Sequence, residues 1–339
     1  MKKDEITKIK QLLKTPKKIV IVPHKNPDGD AIGSTLGLYH FLLKHKQHVK
    51  IIAPNDYPDF LKWMPGESEI LKYDSQKEES DVLISQADVI FTLDFNALNR
   101  TGDMEEALST SDALKIMIDH HQQPDSYATY MYSDVSMSST CEMVYNFISM
   151  LGDKNLIDAD ISSCLYAGIL TDTGSFRFPS TTSKTHQVAG DLIDNGANHS
   201  EIYNQIFDNS SYERMQLLGR ALSNLKVLPE YRTAYITLSQ NELNEFNFKK
   251  GDTEGFVNYA LSLNNIIFAA IFIEDSQNNI IKISLRSKGD FSVNDFSRAH
   301  FEGGGHTNAA GGKSELNLIS TVENFISILP SYKNALNNE

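Results

Sequence analysis

Lys18-Ile19-Val20-Ile21-Val22-Pro23 is a short apolar run rich in β-branched residues, set between polar segments. Val89-Ile90-Phe91-Thr92-Leu93 and Leu114-Lys115-Ile116-Met117-Ile118 have the same form, and a further run covers 48–53. Apolar character without two-residue alternation marks strands covered on both faces of a parallel sheet. Between these runs the spacing predicts helices over 5–13, over 31–46 (apolar at Ile32, Leu36, Leu38, Phe41 and Leu42) and over 159–170. Another opens at Ser138-Ser139-Thr140-Cys141-Glu142, where hydroxyl residues ahead of a glutamate form a cap. The alternation predicts an α/β fold with a doubly wound, mainly parallel sheet over residues 1–185. Residues 186–230 read as a helical linker without strands. From about Arg232 the pattern changes to strands at 233–238, 266–273 and 280–285 with helices around 254–263, 293–298 and 319–329. That is a smaller C-terminal α/β domain over 231–335, followed by a polar tail, 331–339, expected to fray.

Composition narrows the class. A length of 339 residues supports two cores, and 40% hydrophobic with 22% charged residues is globular usage. No apolar stretch approaches the ~18 residues of a membrane span. Met1-Lys2-Lys3-Asp4-Glu5 is not followed by an apolar signal region, so a cytoplasmic protein without a membrane partner is expected. Cys141 and Cys164 fall in helical patterns and suit packing better than a disulfide. A net charge of −13 argues against gripping long duplex nucleic acid by phosphate neutralisation. A small phosphorylated substrate stays open, because bound cations offset acidic site residues.

The chemistry lies at the ends of the strand-like runs. Ligands of doubly wound sheets sit beyond the carboxyl ends of the strands. The first run leads into His24-Lys25-Asn26-Pro27-Asp28-Gly29-Asp30, the second into Asp94 and the third into Asp119-His120-His121. Singly, an Asp-x-Asp turn or a His pair is ordinary loop chemistry. Together they gather anions that need a counter-charge, and divalent cations supply it, which points to metal-assisted hydrolysis. Carboxylates and imidazoles without thiolates suit Mn²⁺, Mg²⁺, Co²⁺ or Zn²⁺. These are more groups than one ion needs, and two ions ~3.5–4 Å apart would share a bridging carboxylate, for which the centrally placed Asp94 is the natural choice.

These segments, with Thr171-Asp172-Thr173-Gly174, resemble the four motifs of the DHH phosphoesterase superfamily. Gly303-Gly304-Gly305-His306-Thr307-Asn308-Ala309-Ala310-Gly311 resembles the signature of the DHHA1 substrate domain. The layout is most similar to the bacterial nanoRNase/pAp-phosphatase group. The resemblance implies two divalent cations, Mn²⁺ first with Mg²⁺ or Co²⁺ as alternatives. It assigns His24, Asp28 and Asp94 to one ion and Asp30, Asp94, His120 and Asp172 to the other. It turns His121 toward substrate, makes Asp119 the group that orients a neighbouring imidazole, and gives Asn26 the support of the first loop or the nucleophile.

Substrate contacts are expected from both domains. Gly303, Gly304 and Gly305 are read as a nest of converging backbone N–H groups, with His306 donating to a phosphate or stacking near a base. The resemblance makes Arg286, at the end of an apolar run, a phosphate or nucleotide contact, and Arg100 is a candidate for neutralising phosphate from the first domain. Ser138 and Ser139, with Thr140, open a helix whose N-terminus either faces phosphate or is simply capped. Tyr166, Phe176 and Phe178 are read as core. The resemblance implies a phosphoesterase acting on short oligoribonucleotides and on mononucleotide bisphosphates such as 3′-phosphoadenosine 5′-phosphate. Cyclic- or linear-dinucleotide phosphodiesterases, pyrophosphatases or exopolyphosphatases, and a non-catalytic nucleotide sensor are the alternatives. A homodimer stays open.

Overall fold

The structure, a computed structural model, describes residues 1–337. It divides into two compact units, 1–209 and 210–339. The first contains α1 (Lys3–Leu12), β1 (Lys18–Val22), α2 (Gly29–Lys44), β2 (His48–Ala53), β3 (Ile70–Lys72), α3 (Lys77–Ser85), β4 (Val89–Leu93), α4 (Glu105–Thr110), β5 (Leu114–Asp119), β6 (Tyr130–Ser133), α5 (Thr140–Leu151), α6 (Ala159–Asp172), α7 (Ser183–Asp194) and α8 (His199–Phe207). Its six strands are all parallel, in the order β3-β2-β1-β4-β5-β6. Successive residues of β1 serve different cores: Ile19 and Ile21 pack with α1, α2, α5 and α6, whereas Val20 and Val22 pack with Ile84 of α3 and Leu108 of α4. Helices on both faces explain the unbroken apolar runs.

The sequence pattern misses β3 and β6, the two edge strands. Each is only partly covered, so neither carries an apolar run. Among the helices of the expected linker, α7 and α8 set Val188, Leu192 and Ile202 into the first core.

α2 and α6 pack closely. A Cβ on Gly33 of α2 would lie 2.5 Å from the carbonyl oxygen of Cys164 in α6, and one on Gly168 of α6 would lie 3.1 Å from the Cα of Asp30 in α2 and 2.1 Å from Cys141 Sγ in α5. Both cysteines are free and buried. This contact sets the C-terminal end of α6, with Asp172, beside the N-terminal end of α2, with Asp28 and Asp30.

The second unit contains α9 (Tyr212–Ser223), β7 (Lys226–Leu228), β8 (Thr233–Leu238), α10 (Gln240–Glu245), α11 (Phe256–Leu261), β9 (Phe268–Asp275), β10 (Ile280–Ser287), α12 (Val293–His300), β11 (Gly304–His306), β12 (Ala309–Ser314), α13 (Leu318–Ile328) and α14 (Lys333–Asn337). Its mixed sheet runs β11-β12-β10-β9-β8-β7, with only β8 and β9 parallel. α9 contributes Leu217, Leu218 and Ala221 to this unit's core. The tail is not frayed through residue 337: α14 buries Leu336 completely, one apolar anchor in a polar stretch. Residues 338 and 339 lie outside the described residues. No helix among the described residues is long and apolar enough to cross a membrane.

Gly33→Ala is expected to push α2 from α6, because the obstacle is backbone and cannot rotate away. Overpacking of this kind costs about 1–3 kcal/mol, so the urea midpoint should fall. An unchanged midpoint would show that the helices do not need their close approach.

Candidate metal centre

In the first sheet the strand order reverses at β1 and β4, where the following loops diverge and leave a crevice. His24 stands two residues beyond β1, Asp94 directly beyond β4, and Asp119 ends β5 with His120 and His121 behind it. Asp94 adopts a left-handed backbone conformation, φ 65°, and its N–H donates to the carbonyl of Ile118. Such a conformation in a non-glycine residue carries strain that the surrounding fold must hold in place.

Among the described residues of the first unit three clusters form, each with potential ligand atoms within 4.8 Å of one another: His24, Asp28 and Asp94; Asp30, His120 and Asp172; and Asp94, Asp119 and His121. His24 Nε2 lies 3.5 Å from Asp94 Oδ2 and 3.9 Å from Asp28 Oδ2. His120 Nε2 lies 3.5 Å from Asp94 Oδ1, 3.6 Å from Asp172 Oδ2 and 3.8 Å from Asp30 Oδ2. The two oxygens of Asp94 thus face different imidazoles. His121 Nδ1 is 2.7 Å from Asp119 Oδ1.

The donors fit metal binding. The Nδ1 of His24 meets the Lys25 carbonyl at 2.9 Å and that of His120 meets the Met137 carbonyl at 3.2 Å. A carbonyl only accepts, so each Nδ1 carries the proton and each Nε2 presents its lone pair or a second proton to the carboxylates. Lone pairs facing carboxylate oxygens at such distances need a cation between them. Burial raises Asp94 well above the usual carboxylate range, and the charges of Asp30, Asp28, Asp172 and Asp119 add to it. Burial also raises Asp30, against the opposing pull of His120. Burial lowers His24, helped by Arg100, against the pull of Asp28. For His120 burial is outweighed by Asp172 and Asp30, which raise it: the ring recruits a proton where a cation is wanted. Asp119 Oδ2 is buried without a hydrogen-bond partner among the described residues.

Local structure holds these groups. Asp28 caps α2, its Oδ1 accepting from the N–H groups of Asp30 and Ala31, which leaves Oδ2 toward His24. Its side chain is 60% exposed; desolvation by the neighbouring protein opposes its charge, but His24 and those N–H donors hold it below the usual range. Asn26 exchanges hydrogen bonds with Asn55, its N–H donating to Asn55 Oδ1 and its own Oδ1 accepting from Asn55 Nδ2, which secures the first loop. Arg100 lies near enough to His24 to affect its protonation, and its carbonyl accepts from the Lys25 N–H.

Ser138 and Ser139, read from the sequence as substrate contacts, are fully buried. Ser138 Oγ donates to Glu142 and Ser139 Oγ accepts from the Glu142 N–H. The N–H groups at the start of α5 serve Asp30 instead of a phosphate. Thr140 has a role that the sequence reading did not see, donating its hydroxyl to Asp94 Oδ1 at 2.9 Å. No periodicity announces that contact, because it spans residues far apart in the chain.

In the second unit Gly304 to His306 form an edge strand and not a nest. The Gly305 N–H donates to Asn294 Oδ1, and the Gly303 N–H to the carbonyl of Ser297. A Cβ on Gly303 would lie 1.9 Å from the Gly311 oxygen, so this glycine serves strand approach. Arg286 and His306 each pair with Ala309, from opposite sides of β12. Directly paired residues share a face, so the guanidinium and the imidazole arise from one row on one face of the sheet.

A parallel sheet with acidic and imidazole groups at its switch point, followed by a mixed-sheet unit bearing the Gly-Gly-His strand, defines a class of phosphoesterase. The chain belongs to the DHH family: residues 18–169 match the DHH family N-terminal domain and residues 231–334 the DHHA1 domain. It is similar to the probable bifunctional oligoribonuclease and PAP phosphatase NrnA of Streptococcus mutans, 30% identical over 87% of this chain and 89% of that protein. The bifunctional oligoribonuclease and PAP phosphatase NrnA of Bacillus subtilis is 28% identical over 86% and 88%. The crystal structure of an exopolyphosphatase-related protein from Bacteroides fragilis is 42% identical, covers 99% of this chain and 98% of its own, and superposes with a TM-score of 0.95.

The raised Asp94 and Asp30 fix a sign. A carboxyl group held above its unfolded value binds its proton more tightly in the folded state, so its contribution to stability is full below the ordinary carboxylate range and is lost as pH rises through the folded value. At neutral pH without metal these groups oppose folding. Asp94→Asn is therefore expected to raise the melting temperature of chelated protein and to abolish most of the stabilisation by added Mn²⁺. Scanning fluorimetry with and without chelator checks both, and a lower melting temperature for the chelated variant would contradict the sign.

Proposed function

We propose that this chain hydrolyses short oligoribonucleotides and 3′-phosphoadenosine 5′-phosphate with two divalent cations, Mn²⁺ foremost, at the strand ends of the first unit. The carrying observation is that Asp94 turns one oxygen to His24 and the other to His120, so one carboxylate belongs to two ligand sets. His24, Asp28 and Asp94 would hold one ion; Asp30, Asp94, His120 and Asp172 would hold the other. Ions bound there supply positive charge to the phosphate oxygens and make hydroxide accessible near neutral pH.

The chain's own groups do the remaining work. Asp119, buried and bonded to His121 Nδ1, fixes that ring's tautomer and orientation. His121 so held serves a phosphate oxygen through Nε2 as hydrogen-bond or proton donor. Arg100 adds charge on the His24 side. Asn26 keeps the first loop in place. Arg286 and His306, on one sheet row, take a terminal phosphate or base in the second unit, with Gly303, Gly304 and Gly305 keeping the strand beneath His306 close-packed. The similarity to the NrnA oligoribonuclease and PAP phosphatases supports the two substrate classes. A cytoplasmic location belongs to the same reading, supported by two free buried cysteines.

The test is a substrate panel on chelated protein with Mn²⁺ added back. Turnover of the 3′,5′-bisphosphate and of di- to pentaribonucleotides is expected. Turnover confined to pyrophosphate and polyphosphate, the arm that the description of the Bacteroides relative suggests, or to cyclic dinucleotides, would overturn the substrate assignment. A change next to a metal ligand already costs roughly 10–100-fold, so Asp94→Ala should lose about 100-fold or more in turnover while nucleotide binding persists. Arg286→Ala should raise KM about 10-fold, the worth of one charged hydrogen bond, with kcat less affected. Unchanged KM would remove Arg286 from substrate binding.

A further inference from the structure

Glu142 is 1% exposed, lies in the first turn of α5 and is not among the groups that face the clusters. A buried carboxylate needs donors, and this one has two. Its Oε2 accepts from Ser138 Oγ at 2.5 Å and from Thr185 Oγ1 of α7 at 2.9 Å. Its backbone N–H donates to Ser139 Oγ at 3.0 Å. Glu142 therefore pins Ser138 with its side chain and Ser139 with its backbone.

The pinned residues sit within a stretch that touches the metal centre repeatedly. The carbonyl of Met137 meets His120 Nδ1. The N–H groups of Thr140 and Cys141 donate to Asp30 at 2.6 and 2.8 Å. The Thr140 hydroxyl donates to Asp94 Oδ1, the oxygen facing His120. Residues 137–141 thus contact three of the four groups Asp30, Asp94, His120 and Asp172. The other cluster is held differently: Asp28 by the start of α2, and His24 by the carbonyl of Lys25. α7, which brings Thr185, is tied to α5 a second time where Asp191 accepts from the Tyr145 hydroxyl.

We infer that Glu142, braced by Thr185, is a positioning residue for the Asp30–Asp94–His120–Asp172 position specifically, and that its removal weakens one of the two cation positions and spares the other. This rests on the two-cation reading above. Loss of Glu142 leaves Ser138 without its anchor, so the segment that aims the Thr140 and Cys141 N–H groups at Asp30 gains freedom. Asp94 is shared with the other position, but the stretch holds its Oδ1, the oxygen facing His120, so His24, Asp28 and the Asp94 Oδ2 that faces His24 keep their own supports.

Calorimetric titration of the chelated, full-length protein with Mn²⁺ alone separates the possibilities. The wild type should take two ions. Glu142→Ala should keep one with little change and bind the other about 10–100-fold more weakly, as changes to groups supporting a ligand do. Glu142→Gln keeps an acceptor oxygen for both hydroxyls and should restore most of the lost affinity. Thr185→Val, nearly isosteric and remote from the ions, should weaken the same position by a smaller factor, and it decides the matter with Glu142→Gln if the alanine variant does not fold. A wild type that binds fewer than two ions would overturn the two-cation reading itself. Two ions in the wild type with unchanged affinities in Thr185→Val and Glu142→Ala, or equal weakening of both positions, would overturn the role of Glu142 alone.

Discussion

The burial of Asp94 between two imidazoles constrains the first unit more than any other contact. A carboxylate 2% exposed and crowded by other carboxylates is unstable as an anion unless positive charge is supplied to it. The hydroxyl of Thr140 and the rings of His24, His120 and His121 approach it, a donor set that fits a cation. The surrounding architecture keeps that arrangement in place: a left-handed residue at the end of β4, a sheet that splits at this strand, and a helix whose first N–H groups hold the adjacent Asp30.

Geometry also explains why helix packing matters to the chemistry. Asp172 reaches His120 because α6 ends where α2 begins, and glycines let the two helices run in near contact. The N-terminus of α5 is equally committed. Its capping serines and Glu142 form a buried polar knot, and its dipole works on a protein carboxylate. A site of this kind is held by groups that touch no substrate, and such outer supports set how firmly ligands are aimed.

The second unit follows different rules. Its glycines permit an edge strand to lie tightly against β12, and the N–H groups of Gly303 and Gly305 are already bonded within the unit. What it offers instead is a row of Arg286 and His306 fixed by strand register. Charge and hydrogen-bonding capacity are carried by side chains on a rigid surface, which suits recognition of a phosphate terminus better than a mobile loop would.

The sequence by itself determined the parallel core and the identity of the chemistry. Residues such as Ile19 to Val22 and Val89 to Leu93 must be covered on both faces, and that requirement makes the strands parallel and puts His24, Asp94 and Asp119 to His121 at one edge. It also determined that carboxylates and imidazoles, with no thiolate, gather there. The tertiary structure alone decided the short edge strands β3 and β6, whose partial cover leaves no apolar signature. It also decided that Ser138 and Ser139 face inward, that Thr140 serves Asp94, and that Thr185 meets Glu142. The last two contacts join residues 46 and 43 positions apart. Periodicity reports which face of an element is buried; which atoms meet across two buried faces depends on how the helices and strands pack, and no local pattern encodes that.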